Sequence, residues 1–214
     1  YQVILKPAPK NNQELYIEML KEIGIDPKKH DLRFVEDNWE SPAIGAWGLG
    51  WEVWLDGMEI SQYTYFQQVA GISLEQPALE ITLGLERLAM YILNVDDYRD
   101  IPWNKDVTYG EMFEKHEYWQ SLHDFETSKI DDLKKLYSIY QDQTEDQLEK
   151  GNYWAGYDYL LKLSHVFNLL DSRGVISISD RTAKFGQMGV YSKKIGQMWL
   201  DEREKLGYPL LNKQ

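Results

Sequence analysis

The segment Glu80-Ile81-Thr82-Leu83-Gly84-Leu85-Glu86-Arg87-Leu88-Ala89-Met90-Tyr91-Ile92 changes from a strand pattern to a helix pattern at one glycine. Apolar residues alternate before Gly84, which is typical of a strand with one buried face. After Gly84 they recur at helical spacing, and Arg87 falls in the first turn of the predicted helix. The positive end of a helix disfavours a cation, so we expect an anion such as phosphate beside Arg87.

The predicted strand before Gly84 has two chemically different faces. Leu79, Ile81 and Leu83 form the apolar face, whereas Glu80 and Thr82 lie on the other. A carboxylate beside a hydroxyl suits the binding of an ammonium group. The alternative is a solvent-exposed strand face, followed by an amphipathic helix whose arginine pairs with a nearby acid.

The composition predicts a soluble, cytoplasmic protein of one globular domain, or of one such domain with an added helical lobe. The 214 residues are 43% hydrophobic, which is enough for a sizeable core. No apolar run reaches the length of a membrane span, so no membrane partner is expected. The absence of cysteine excludes disulfides, thiol catalysis and thiolate metal sites.

The charge balance bears on nucleic-acid binding. There are 35 acidic and 23 basic residues, which gives a net charge of −12. Proteins that bind polyanions normally carry the opposite sign. If this chain acts on a nucleic acid, another chain should supply most of the basic surface.

The patterning predicts an α+β fold with a mostly antiparallel sheet flanked by helices. Five strands are expected, at residues 2–6, 32–37, 51–55, 58–69 and 78–83. The dipeptide Asp56-Gly57 predicts a type I′ turn between the third and fourth of these strands. The segment before the third strand, rich in glycine and tryptophan, is predicted to be a loop. Its tryptophans suggest a pocket wall, but Trp47, Trp51 and Trp54 are more typical of plain core.

The second half of the chain is predicted to be helical. Helices are expected over residues 111–149 and 154–172, followed by a last helix that Ser179 or Asp180 caps. An aromatic and apolar helix face in this part is more typical of a core than of an interface; its members are Trp154, Tyr157, Leu161 and Phe167. We therefore predict a catalytic sheet core at residues 1–107 and a C-terminal helical lobe at residues 108–214.

Nearly the whole chain resembles the alpha subunit of the bacterial tetrameric glycyl-tRNA synthetase, a class II aminoacyl-tRNA synthetase. The similar segments are residues 1–7, 30–40, 45–54, 64–68 and 164–173, together with the motif 3 signature Gly84-Leu85-Glu86-Arg87. The resemblance implies that ATP activates glycine to glycyl-adenylate and that the glycyl group passes to tRNA(Gly). It also implies a beta subunit that holds most of the tRNA, and a second alpha subunit.

The resemblance implies roles for individual residues. Arg87 would bind the far phosphates of ATP, and Glu59 would hold Mg²⁺ or the nucleotide. Glu80 would accept the ammonium of glycine. Gln62 stands where the similar alanyl enzymes carry an asparagine that binds the amino acid. Glu59 and Gln62 are an odd number of residues apart, so a shared role requires a bulge in their strand.

Three further residues would complete the glycine pocket. Gln2 and Thr82 would line it, and Trp39 would cap it and exclude any side chain larger than hydrogen. The family's motif 1 and the first half of its motif 2 do not precede Tyr1 in this sequence. Either those residues exist outside this sequence, or the chain is a truncated form. In the second case the alternative function is a catalytically silent form that acts as a binding module for a beta-type partner.

Overall fold

The structure is a computed structural model that describes residues 1–211, and the elements below are those of these residues. The strands are β1 (Gln2–Leu5), β2 (Leu32–Glu36), β3 (Trp39–Ser41), β4 (Ala46–Leu55), β5 (Met58–Val69) and β6 (Ile72–Leu83). The α-helices are α1 (Asn12–Glu22), α2 (Leu85–Leu93), α3 (Tyr109–Leu122), α4 (Ile130–Glu149), α5 (Tyr153–Ser172) and α6 (Ile178–Lys205). The predicted α+β class is confirmed.

The strands form one sheet in the order β1-β6-β5-β4-β2, and β3 also pairs with β4. Strands β1 and β6 are antiparallel, with Gln2 opposite Thr82. Strands β2 and β4 are also antiparallel. Between β4 and β5, Asp56 has a φ of 49° and Gly57 a φ of 88°, as the predicted type I′ turn requires.

The prediction of a loop in the glycine- and tryptophan-rich segment before residue 51 is wrong, because strand β4 already begins at Ala46. Glycine is depleted in strands, which made this segment look irregular. In the structure, β5 approaches β4 so closely that only glycine fits at two positions. A Cβ at Gly48 would lie 2.5 Å from the carbonyl oxygen of Tyr65, and one at Gly50 would lie 2.2 Å from that of Tyr63.

The chain forms two compact units, and the predicted division at residue 107 stays a prediction. The first unit consists of Tyr1–Trp39, Trp47–Gln67 and Leu74–Gln120. Helices α1 and α2 cover one face of its sheet. The core between them contains fully buried Leu20, Leu55 and Leu79. Burying a leucine side chain contributes about 1.5–3 kcal/mol, so this face holds the unit together.

The second unit consists of Glu40–Ala46, Gln68–Ser73 and the described residues from Ser121 onwards. Helices α4, α5 and α6 surround a core in which Leu160 and Phe167 are fully buried. Three residues of the predicted apolar face of α5 are instead exposed, because the same stretch of the helix turns Leu160 into this core and leaves another face outside it; they are Trp154, Tyr157 and Leu161. No helix within residues 1–211 is long and apolar enough to cross a membrane.

Two helix boundaries differ from the predictions. The helical region predicted at residues 111–149 is interrupted by a π-helical turn at His123–Thr127, after which Ser128 is extended. Ser177 caps helix α6 in place of the predicted Ser179 or Asp180, since Ser177 Oγ accepts a hydrogen bond from the backbone N–H of Asp180 at 3.1 Å. The Ser177 hydroxyl also donates to the Asp180 carboxylate, an arrangement that stabilises the first turn of a helix.

Candidate active site

The first unit carries polar side chains on the sheet face that α1 and α2 leave uncovered. On β6, Leu79 and Ile81 point into the core, so Glu80 and Thr82 lie on the opposite face. The pairing of β1 with β6 places Gln2 on that face as well, and Gln2 Nε2 donates a hydrogen bond to Glu80 Oε1 at 2.9 Å. The structure therefore brings together three of the residues predicted to line the amino-acid pocket.

Glu80 lies in an environment that penalises its charge. Partial burial raises the pKa of its carboxyl group above the ordinary value, and a hydrogen bond with Thr82 offsets part of that rise. A buried cation beside the carboxylate would reverse this penalty, because an opposite charge favours the ionised form. The geometry and the charge thus suit an ammonium group.

Arg87 lies in the first turn of α2, as the sequence predicted, and contacts Glu59 at the start of β5. Its Nη1 donates to the backbone oxygen of Glu59 at 2.6 Å and lies 3.2 Å from Glu59 Oε2. The Arg87 side chain is 49% exposed. The same nitrogen, Nη1, makes both contacts. The other two guanidinium nitrogens remain free of these contacts and can donate to two oxygens of a phosphate.

Strand β5 departs from regular alternation between Ile60 and Ser61. The side chain of Ile60 belongs to the core, and the neighbouring Ser61 hydroxyl is 2.6 Å from the hydroxyl of Tyr16 on α1. Two consecutive side chains therefore face the same side, which is typical of a bulge. As a result Glu59 and Gln62 both lie on the sheet face that points away from the core, as their predicted roles require.

Gln62 contacts a carboxylate that sequence reasoning missed. Its Nε2 donates to Asp37 Oδ2 at 2.7 Å. Asp37 follows β2, and its backbone N–H donates to the carbonyl oxygen of Gly50 at 2.9 Å. Alternation along β2 could have placed Asp37 on the polar face, but nothing in the sequence shows how near it comes to β5.

Trp39, the predicted cap of the pocket, lies in β3 and is partly buried. Its ring packs edge-to-face against Phe66 of β5, with ring centroids 5.4 Å apart. Phe66 is four residues beyond Gln62 on the same strand and follows the same alternation. The indole therefore packs on the strand that carries Gln62.

Glu59 is the residue predicted to hold Mg²⁺ or the nucleotide. Within residues 1–211, no group of three or more histidine, aspartate or glutamate side chains is placed to hold a metal ion. Glu59 is a single carboxylate beside Arg87. This fits an ion such as Mg²⁺ that takes most of its ligands from phosphate and water.

A comparison with protein families identifies the chain. The family model described as glycyl-tRNA synthetase alpha subunit matches residues 1–204 of the 214.

Proposed function

Because the chain belongs to the glycyl-tRNA synthetase alpha subunit family, we propose that it activates glycine with ATP and transfers the glycyl group to tRNA(Gly). The family supports glycine–tRNA ligase function and implies ATP as a substrate. The observation that carries the proposal is the placement of Glu80 with Gln2 and of Arg87 with Glu59 in the same unit. In the proposal these pairs would supply one site for an ammonium and one for a phosphate, on the antiparallel sheet that a class II synthetase would use.

Glycine would bind through its ammonium group. Glu80 pairs with the ammonium, and Gln62 accepts a hydrogen bond from it through its amide oxygen. Gln2 and Thr82 line the pocket, and Trp39 closes it. A rigid wall rejects a larger side chain more strongly than a pocket can reject a smaller one, so this arrangement favours glycine.

ATP would bind with its far phosphates at Arg87. An oxygen of the glycine carboxylate attacks the α-phosphorus, and the bond from that phosphorus to the bridging oxygen of pyrophosphate breaks. Arg87 stabilises the negative charge that develops on the leaving pyrophosphate. Glu59 would hold Mg²⁺ or the nucleotide, and the bound ion would neutralise phosphate charge.

The partners follow from the family and the charge. An alpha subunit implies a beta partner and a tRNA substrate. With a net charge of −12, this chain is a poor binder of tRNA, so we propose that the beta subunit holds most of it. A second alpha subunit and a cytoplasmic location complete the proposal.

The test is glycine-dependent exchange of pyrophosphate into ATP, measured with and without a beta-type subunit, and with alanine and serine as control substrates. Exchange with glycine only would establish the activity. If glycine and ATP bind in calorimetry but no exchange follows, the chain has a pocket without the charge stabilisation that adenylate formation needs. If neither ligand binds, the chain is the silent binding module.

A further inference from the structure

The side chains of Asp37 and Gln62 meet across an intervening strand. Gln62 lies in β5 and Asp37 directly follows β2, and strand β4 lies between β2 and β5. Neighbouring strands are about 4.8 Å apart, so the outer two are separated by about twice that distance. A side chain on β4 would normally stand between them, yet Gln62 Nε2 is 2.7 Å from Asp37 Oδ2.

The strand between them carries a glycine, Gly50, beside Asp37. The backbone N–H of Asp37 bonds to the carbonyl oxygen of Gly50, so Gly50 is the β4 residue beside Asp37. It has no side chain to separate Asp37 from Gln62. The backbone of β5 also lies against it, because a Cβ at Gly50 would be 2.9 Å from the Cα of Thr64. Strand β5 therefore lies closer to β4 here than any residue with a side chain would allow, which shortens the span between Asp37 and Gln62.

The hydrogen bond determines which way the Gln62 amide points. A carboxylate only accepts hydrogen bonds, so the NH₂ group of Gln62 must face Asp37. The amide oxygen then points away from Asp37 as an acceptor. Without Asp37, rotation by half a turn would present the NH₂ group instead, and two donors would oppose an ammonium.

We propose that Asp37 is a positioning residue for the amino-acid substrate: it orients Gln62 so that Oε1 accepts a hydrogen bond from the substrate ammonium. This rests on the proposed function, in which Gln62 binds glycine. Asp37 touches Gln62 and not the substrate.

The experiment is pyrophosphate exchange by the full chain with its beta-type partner, comparing Asp37→Ala, Gln62→Ala and the double variant. Removing a hydrogen bond to a charged group should raise the KM for glycine roughly tenfold in each single variant. The KM for ATP should stay within about twofold. Because Asp37 acts through Gln62, the KM for glycine of the double variant should not exceed the higher of the two single-variant values.

Glu36→Ala is the matched control. Glu36 is the neighbouring carboxylate, and alternation places it on the other face of the sheet. Its loss should leave the KM for glycine unchanged. If Asp37→Ala unfolds, Asp37→Asn replaces it: the neutral amide can itself rotate, so the KM for glycine should still rise while that for ATP does not.

Several results would overturn the assignment. They are an unchanged glycine KM in the folded Asp37 variant, equal rises in both KM values, and multiplicative effects in the double variant. In each case exchange by the unaltered protein would leave the proposed function standing. No exchange by the unaltered protein with its partner would overturn the proposed function. The glycine Kd of the same variants, measured by calorimetry, would then test the role of Asp37, and an unchanged Kd in the folded Asp37 variant would overturn it.

Discussion

Arg87 and Glu59 form an ion pair at the surface of the first unit, with Nη1 of the arginine 3.2 Å from Oε2 of the glutamate. The two side chains are 49% and 30% exposed. Exposed ion pairs contribute at most about 1 kcal/mol to stability. A cation in the first turn of a helix costs about 0.3–1 kcal/mol, which this pair can offset, as the alternative of an arginine paired with a nearby acid expects. The pair adds little to stability either way, so the phosphate role proposed for Arg87 stays a prediction that its removal tests.

Arg87→Ala should therefore impair ATP use much more than folding. We expect kcat/KM for ATP in pyrophosphate exchange to fall at least about 100-fold, as happens when a donor to developing charge is removed. The thermal unfolding midpoint should change little. Arg87→Lys keeps the charge but loses the planar guanidinium, so its kcat/KM for ATP should lie between those of Arg87→Ala and the unaltered protein. Normal exchange by Arg87→Ala would rule out the phosphate role.

Glu80→Gln should raise the KM for glycine far more than the KM for ATP. The amide removes the negative charge that pairs with the ammonium but keeps the shape of the side chain. Hydrogen bonds to charged groups contribute about 1.5–3 kcal/mol, so a rise of at least roughly tenfold is expected. Steady-state exchange at varied glycine and at varied ATP measures both constants. Equal changes in the KM for glycine and the KM for ATP would show that Glu80 has a structural role instead.

The same variant should be more stable than the unaltered protein at neutral pH. Burial raises the pKa of Glu80 in the folded state, so the folded chain binds more protons than the unfolded chain over the interval between the two pKa values. Stability then falls as pH rises through that interval, and the penalty is absent below the unfolded pKa. Unfolding midpoints of Glu80→Gln and the unaltered protein should differ at neutral pH and converge in acid. A constant difference would contradict this.

The features that the sequence predicted correctly depend on neighbours along the chain. The turn at Asp56-Gly57 follows from local backbone preference, and Arg87 in the first turn of α2 follows from the glycine before it. The missed features depend on distant residues. The start of β4 at Ala46 depends on how closely β5 passes, and the contact of Asp37 with Gln62 joins residues 25 apart. Spacing alone carries no information about such approaches.

Trp39→Ala should weaken discrimination against alanine. If the indole closes the glycine pocket, its removal makes room for a methyl group, whose burial is worth about 1–3 kcal/mol. The ratio of kcat/KM for glycine to that for alanine should fall at least roughly tenfold in pyrophosphate exchange. Trp154→Ala is a control, since Trp154 is an exposed tryptophan of the second unit. An unchanged ratio in Trp39→Ala would show that another group limits the pocket.

Gly50→Ala should destabilise the first unit. The new Cβ would lie 2.2 Å from the carbonyl oxygen of Tyr63, so β4 and β5 must separate, and such overpacking costs about 1–3 kcal/mol. Gly186→Ala is the matched control: Gly186 lies within α6 with no neighbour near its Cβ position, so alanine should stabilise the helix by about 1 kcal/mol. Urea unfolding measures both. Equal stability of Gly50→Ala and the unaltered protein would contradict the close approach of the strands. Where the variant folds, a longer distance from Gln62 to Asp37 should also raise the KM for glycine.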